Sequence, residues 1–231
     1  MLAPRRRRGV ELLDDAAVSD EIRCRALADV ARSNRWLGGR RALRLALDDA
    51  LRDLPRDRTA TLLDLGVGAG DLSDLARIRA RRAGVPLRVV GADLAPSLAL
   101  AARTGGAADL AIAADALALP LADASVDVVV CSQLLHHFEE PDAVRVLAEM
   151  HRVARRIVIV ADLRRSWIAA IGFWLVSWPL RFHPVTRHDG VVSVLRGFTV
   201  RELGAIVKGA TGRDAAVRRR LGWRLVAAWR A

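Results

Sequence analysis

Between Thr61 and Ala161 five short apolar runs alternate with segments of helical periodicity, and this rhythm constrains the fold more than any other feature of the chain. The runs are 61–65, 87–92, 110–113, 126–131 and 157–161, with helices expected over 71–82, 95–103 and 141–153. Val126-Asp127-Val128-Val129-Val130 is almost continuously apolar, as strands are when both faces of a parallel sheet are covered. The pattern is that of a doubly wound α/β fold. Two further strands, 215–221 and 223–229, are separated by Gly222 and read as a C-terminal antiparallel hairpin, giving seven strands that are mostly parallel. Upstream, Ile22, Leu27, Val30 and Ala31, then Leu43, Leu45 and Leu51 after Gly38-Gly39, have helical spacing. The expected organisation is an N-terminal helical cap (1–56) and a main domain (57–231), with an insertion at 164–198 after the fifth strand.

With 231 residues, 52% of them hydrophobic, the chain can bury one sizeable core. The net charge of +11 invites a nucleic-acid reading. Lys208 is the only lysine, however, and the arginines are scattered through a chain rich in Ala, Leu and Val, as compositional drift in a GC-rich genome would leave them. The one dense basic run, Arg5 to Arg8, lies at a terminus expected to be disordered and lacks interleaved aromatics, so nucleic acid is disfavoured as a partner. Cys24 and Cys131 are too few for a disulfide framework and have no metal-ligand spacing, which points to a reducing compartment and to no metal. The start lacks a secretory apolar core, and the uncharged run 167–180 is too short to span a bilayer. A cytoplasmic location is expected, and contact with a membrane surface and self-association are both compatible with it.

The first apolar run closes in Gly66-Val67-Gly68-Ala69-Gly70, and Asp93 ends the second. Glycines there let bare backbone approach a ligand, and a carboxylate on the neighbouring strand tip can accept both hydroxyls of a ribose. A dinucleotide fingerprint would place its third glycine where Asp71 stands, setting a carboxylate against a pyrophosphate. A nucleoside ligand without phosphates is therefore favoured.

Four pieces in order resemble the class I S-adenosylmethionine-dependent methyltransferases. They are Asp64-Leu65-Gly66-Val67-Gly68-Ala69-Gly70, Gly91-Ala92-Asp93-Leu94, the stretch from Ala114-Asp115-Ala116 to Pro120 with Ser125-Val126-Asp127, and Cys131-Ser132-Gln133-Leu134-Leu135-His136-His137-Phe138. Leu117-Ala118-Leu119-Pro120, the His136-His137 pair and 149–153 resemble the branch acting on quinone precursors and polyketide-like molecules. The resemblance implies a Rossmann-like seven-stranded sheet and S-adenosylmethionine as cofactor. It implies that the backbone of Gly66, Gly68 and Gly70 meets the amino-acid part of the cofactor, with Asp64 near its ammonium. Asp93 would hold the ribose, Leu94 would lie against the adenine, Asp115 and the Ala116 amide would read its edge, and Ser132 would lie in the loop beside it. Asp64 and Asp115 also have plain readings as turn and loop caps.

Methyl transfer from a sulfonium mainly requires alignment and exclusion of water, and a phenolic acceptor, with a pKa of ~10, would also benefit from a base. His188 beside Asp189 is the first candidate and His137 the second. His136 and His137 sit at the carboxyl edge of the fourth strand, where a histidine can equally well shape the turn. His136, His183 and Arg187 are candidate acceptor-binding residues, with Trp167, Trp174 and Trp178, which share a stripe if 167–180 is helical. That segment is either a core helix or a lid or membrane-resting helix for a lipophilic substrate, flanked by Arg164, Arg165 and Arg181. The expected activity is methylation of a hydrophobic, aromatic small molecule (phenol, quinol or polyketide-like), at oxygen before carbon. The alternatives are an RNA or protein methyltransferase, or a cofactor-binding partner subunit without catalysis. The first of these is weakened because 131–138 lacks both an Asn/Asp-Pro-Pro-aromatic pattern and a Pro-Cys pair.

Overall fold

The computed structural model describes residues 3–7, 9–15 and 17–231. Its centre is one seven-stranded sheet in the order β3-β2-β1-β4-β5-β7-β6, with β7 antiparallel to both of its neighbours and the other pairings parallel. The strands are β1 (Ala60–Leu65), β2 (Leu87–Asp93), β3 (Leu110–Ala113), β4 (Val126–Ser132), β5 (Ala154–Leu163), β6 (Ala216–Arg220) and β7 (Arg224–Arg230). The helices are α1 (Asp20–Trp36), α2 (Gly39–Arg52), α3 (Asp71–Ala83), α4 (Pro96–Thr104), α5 (Glu140–Val153), α6 (Trp167–Ser177), α7 (Pro184–Arg196) and α8 (Val200–Thr211).

The two-residue period of the strands divides the core. Leu63, Leu65, Val129, Cys131, Val158 and Val160 face α5 and α8, whereas Leu62, Val89, Val128, Val130 and Ile159 face α2 and α3. Each large aliphatic side chain so buried contributes about 2 kcal/mol. Helix α2 presents Ala42, Leu43, Ala46, Leu47, Ala50 and Leu51 to the second layer, so the boundary expected at residue 56 cuts through a shared core. Helix α2 is part of the sheet's own packing because that face of β1, β4 and β5 has to be covered.

At the amino edge of β4, Asp127 is fully buried and accepts from Arg58 (2.9 and 2.7 Å), the Thr61 amide (3.0 Å) and Arg155 (3.2 Å). Burial alone would raise its pKa, and these donors hold it down at about 2. Asp127 is thus an anchor at the end of the strand remote from the glycine loop.

The basic N-terminal run is packed. Arg6 donates through Nε to the Arg196 carbonyl (2.7 Å) and through Nη2 to that of Phe138 (2.8 Å), and lies 4.5 Å from the Phe198 ring centroid. Arg7 stacks over Trp167 at 4.7 Å. Disorder was expected here from the position at a terminus, and the carbonyls at the end of α7 and the 135–137 turn supply partners for Arg6. Arg8 lies outside the described residues.

Candidate active site

The carboxyl ends of β1, β2 and β4 place the glycine loop, Asp93 and Ser132 along one edge. Gly70 caps α3 in the left-handed region (φ 73°), where a Cβ would come within 2.3 Å of Ala107 Cβ, so only glycine closes this loop. Asp93 accepts from the Gly68 amide through Oδ2 and the Ala95 amide through Oδ1, both at 3.0 Å. The ribose candidate is therefore fixed by the same loop that would cradle the ligand. Asp64 is buried and accepts from Ser73 Oγ at 2.5 Å. Burial raises its pKa to about 7, with Asp71 and Asp93 pushing the same way against the Ser73 bond. Leu94 is 74% exposed beside Asp93. Asp115 is exposed and caps its own loop through the Leu117 amide (2.9 Å), with Ala116 buried next to it.

These residues fit S-adenosylmethionine. Asp64, Asp71 and Asp93 act on one another with no arginine or lysine in ion-pair contact among the described residues, which leaves negative charge suited to an ammonium and a sulfonium. Arg40 acts on Asp71 from a distance, but no arginine or lysine among the described residues pairs with the loop's carboxylates as a pyrophosphate site would require.

Beside this edge lies a cavity of about 600 Å³, with Gln133 and Leu163 at its floor, Val30 and Ser33 from α1, and Gly38 and Gly222 at one wall. Its roof is the inner face of α6 (Ala169, Gly172, Phe173, Val176) and of α7 (Thr186, Asp189, Gly190, Ser193). Helices α6 and α7 meet closely because Gly190 has no Cβ; one built there would lie 2.1 Å from the Phe173 ring. The insertion 164–198 thus forms two helices, and its polar stretch 183–190 belongs to the first half of α7.

Among the expected acceptor-side residues, only Asp189 lines this cavity. Trp167, Trp174 and Trp178 are on the outer face of α6, exposed with Ile168, Ile171 and Leu175, because the inner face must be small enough to approach α7. His188, half exposed, has Nδ1 2.8 Å from Asp189 Oδ1 and lies in an outer groove with Trp174 and Arg187. Arg187 stacks on Trp178 at 4.0 Å. His183 caps α7, its Nδ1 accepting from the Val185 amide and its own amide donating to Asp29 at 2.7 Å. His136 is buried, with Nδ1 2.7 Å from Asp162 Oδ1 and Nε2 3.7 Å from Glu11 Oε1; His137 Nε2 lies 3.9 Å from Glu11 Oε2. Glu11, His136 and His137 bring metal-ligating atoms within 4.8 Å of one another, a grouping that spacing along the chain does not reveal. The Glu11 carboxylate in it is already engaged by Ser193 Oγ (2.8 Å) and Arg196 (3.5 Å).

Sequence reasoning passed over Gln133, Asn34, Glu11, Asp162 and Arg224. Gln133, at φ 52°, accepts from Arg224 Nη1 through Oε1 (2.7 Å) and donates through Nε2 to Asn34 Oδ1, and Asn34 donates to Asp71 (3.4 Å). Gln133 lies inside the 131–138 stretch, but its positive φ and its two amide bonds exist only in the fold. The others come from segments far apart in sequence.

A sheet in this order, with a glycine loop and a strand-tip carboxylate at its carboxyl edge, has the architecture of the class I S-adenosylmethionine-dependent methyltransferases. Residues 63–160 match the methyltransferase domain family. It is 39% identical over 114 residues to the demethylmenaquinone methyltransferase of Thermus thermophilus, covering 48% of this chain and 47% of that one. It is also 39% identical over 114 residues to the malonyl-[acyl-carrier protein] O-methyltransferase of Laribacter hongkongensis, covering 45% and 36%. The chain therefore spans half or less of the length of these curated relatives. The crystal structure of magnesium protoporphyrin IX methyltransferase from Synechocystis with bound S-adenosylmethionine superposes with a TM-score of 0.54 at 14% identity, over 95% of this chain and 88% of that one.

Proposed function

We propose that the protein transfers a methyl group from S-adenosylmethionine to a lipophilic, aromatic small molecule held in the cavity under α6 and α7, at oxygen in preference to carbon. The observation that carries this reading is the apolar cavity of about 600 Å³ that meets the cofactor edge at Gln133. Bound cofactor supplies an electrophilic methyl on a sulfonium. The chain's own residues supply the rest. The Gly66–Gly70 backbone and Asp93 orient the nucleoside, Asp64 faces its cationic end, and Phe173, Val176 and Leu163 exclude water from the acceptor. Relatives named for quinone and acyl-carrier substrates support the small-molecule class. Calorimetric titration with S-adenosylhomocysteine, followed by mass spectrometry of a phenol and hydroquinone panel incubated with labelled cofactor, tests it. Absence of homocysteine-adduct binding would sink the reading.

The outer face of α6 favours a further element of the same reading, contact with an anionic lipid surface that delivers the acceptor. Trp167, Ile168, Ile171, Trp174, Leu175 and Trp178 form an exposed apolar face, and Arg7 and Arg187 stack on its end tryptophans. No helix among the described residues is long and apolar enough to cross a membrane. Co-sedimentation with vesicles containing phosphatidylserine should fall sharply for Trp174→Asp; equal sedimentation would remove the lipid contact.

A further inference from the structure

Arg224 opens β7 opposite Leu163 of β5 and lines the cavity while only 5% exposed. A buried guanidinium normally has a carboxylate in contact, since an unpaired interior charge costs several kcal/mol. Arg224 has none within ion-pair distance among the described residues. Its one side-chain hydrogen bond runs from Nη1 to Gln133 Oε1, and its buried Nε has no partner. Burial lowers its pKa to about 10, against an opposing influence from Asp162.

The carboxylates nearby are all committed elsewhere. Asp162 is engaged by the His136 ring and amide and by the Leu163 amide. Asp189 accepts from the Leu12 and Leu13 amides and meets His188. Glu11 meets Ser193, Arg196 and the histidine pair. The other cavity-lining cations, Arg35 and Arg41, are exposed to solvent. Arg224 is therefore a buried cavity charge with no carboxylate in ion-pair contact among the described residues, Asp162 acting on it only at longer range. It is held by Gln133, whose other amide bond reaches through Asn34 to Asp71 at the start of α3.

We infer that Arg224 is an oxyanion subsite, and that the acceptor binds as an aromatic oxyanion, a phenolate or enolate whose ionised oxygen pairs with the Arg224 guanidinium beside Gln133. This rests on the methyl-acceptor reading of the cavity and narrows it to acidic hydroxyls. The proton of the hydroxyl is released to solvent on binding, and the buried guanidinium lowers the acceptor's pKa in place of a general base. A strand-opening arginine left without a carboxylate is then the arrangement that a neutral acceptor would not require.

The test uses 4-nitrophenol, whose phenolate absorbs at longer wavelength than its phenol, titrated into the protein saturated with S-adenosylhomocysteine at a pH below the probe's own pKa. The expected result is a phenolate band on binding, with 4-nitroanisole and 4-nitrobenzoate binding more weakly. Arg224→Gln should abolish the band and weaken the probe roughly tenfold, and Arg224→Lys should keep much of it. Adduct affinity unchanged in both variants shows that the fold is intact. Binding of nitrophenol without the phenolate band, tighter binding of nitrobenzoate, or an unchanged band in Arg224→Gln would each overturn the subsite. Loss of homocysteine-adduct binding in the parent protein would instead strike the methyltransferase reading itself.

Discussion

The cofactor edge and the acceptor cavity sit side by side but are built in opposite ways. At the cofactor edge, backbone does the positioning: five residues from 66 to 70 and one carboxylate, Asp93, lock onto each other through main-chain amides. The cavity is assembled from stretches far apart in the chain, including 11–13, α1, 133, 163, α6, α7 and 221–224. A compact loop can lose one side chain and keep its shape, whereas a cavity walled by distant segments depends on each close approach between them.

The comparison is broken most directly at Gly222. Its φ is +76°, and a Cβ there would stand 1.9 Å from the Leu37 carbonyl oxygen, which is backbone and cannot move aside. Gly222→Ala should lower stability by about 3 kcal/mol or more, read as a drop in Tm or in denaturant midpoint. An unchanged midpoint would show that the wall of the cavity is not held as described. Next comes Asp93→Ala, which should weaken S-adenosylhomocysteine roughly a hundredfold in calorimetry while the Tm moves little. A large Tm loss with affinity intact would reverse the contrast.

A smaller effect sharpens the cofactor side. The Asp64 carboxyl is raised to about 7, so the folded state holds a proton that the unfolded chain releases near 3.8. Its contribution to stability is full below that lower value and is lost as pH climbs through about 7. A cationic ligand favours the ionised carboxylate, so S-adenosylmethionine affinity should rise up to about tenfold across the same interval, and Asp64→Asn should flatten the profile. The smallest change is expected for His188→Ala. Its ring lies in the outer groove, so turnover of an accepted phenol should change by about twofold or less, and a hundredfold loss would bring the His188-Asp189 pair back as the base.

The strand order and the glycine loop were legible because each rests on local pattern: runs such as Val128-Val129-Val130, and an acidic residue at the end of the neighbouring strand. The face of α6 was not. A segment apolar on every side contains no periodic signal to say which stripe is inward, and bulk made the tryptophans the natural choice for a substrate wall. Packing decided otherwise, since the gap at Gly190, filled by the Phe173 ring, lets α6 lie on α7. Glu11 and Arg224 were invisible for a related reason. Each is an ordinary charged residue in sequence, and its significance arises from neighbours brought in from the other end of the chain.

The Asp189 carboxylate receives the Leu12 and Leu13 amides across separations of 177 and 176 residues. Such contacts join distant parts of the chain and carry a large loop-closure entropy. The N-terminal segment is therefore expected to open locally while the sheet stays folded. Hydrogen exchange at Leu12 and Leu13 would time it, and with it the interval in which a bulky molecule enters or leaves.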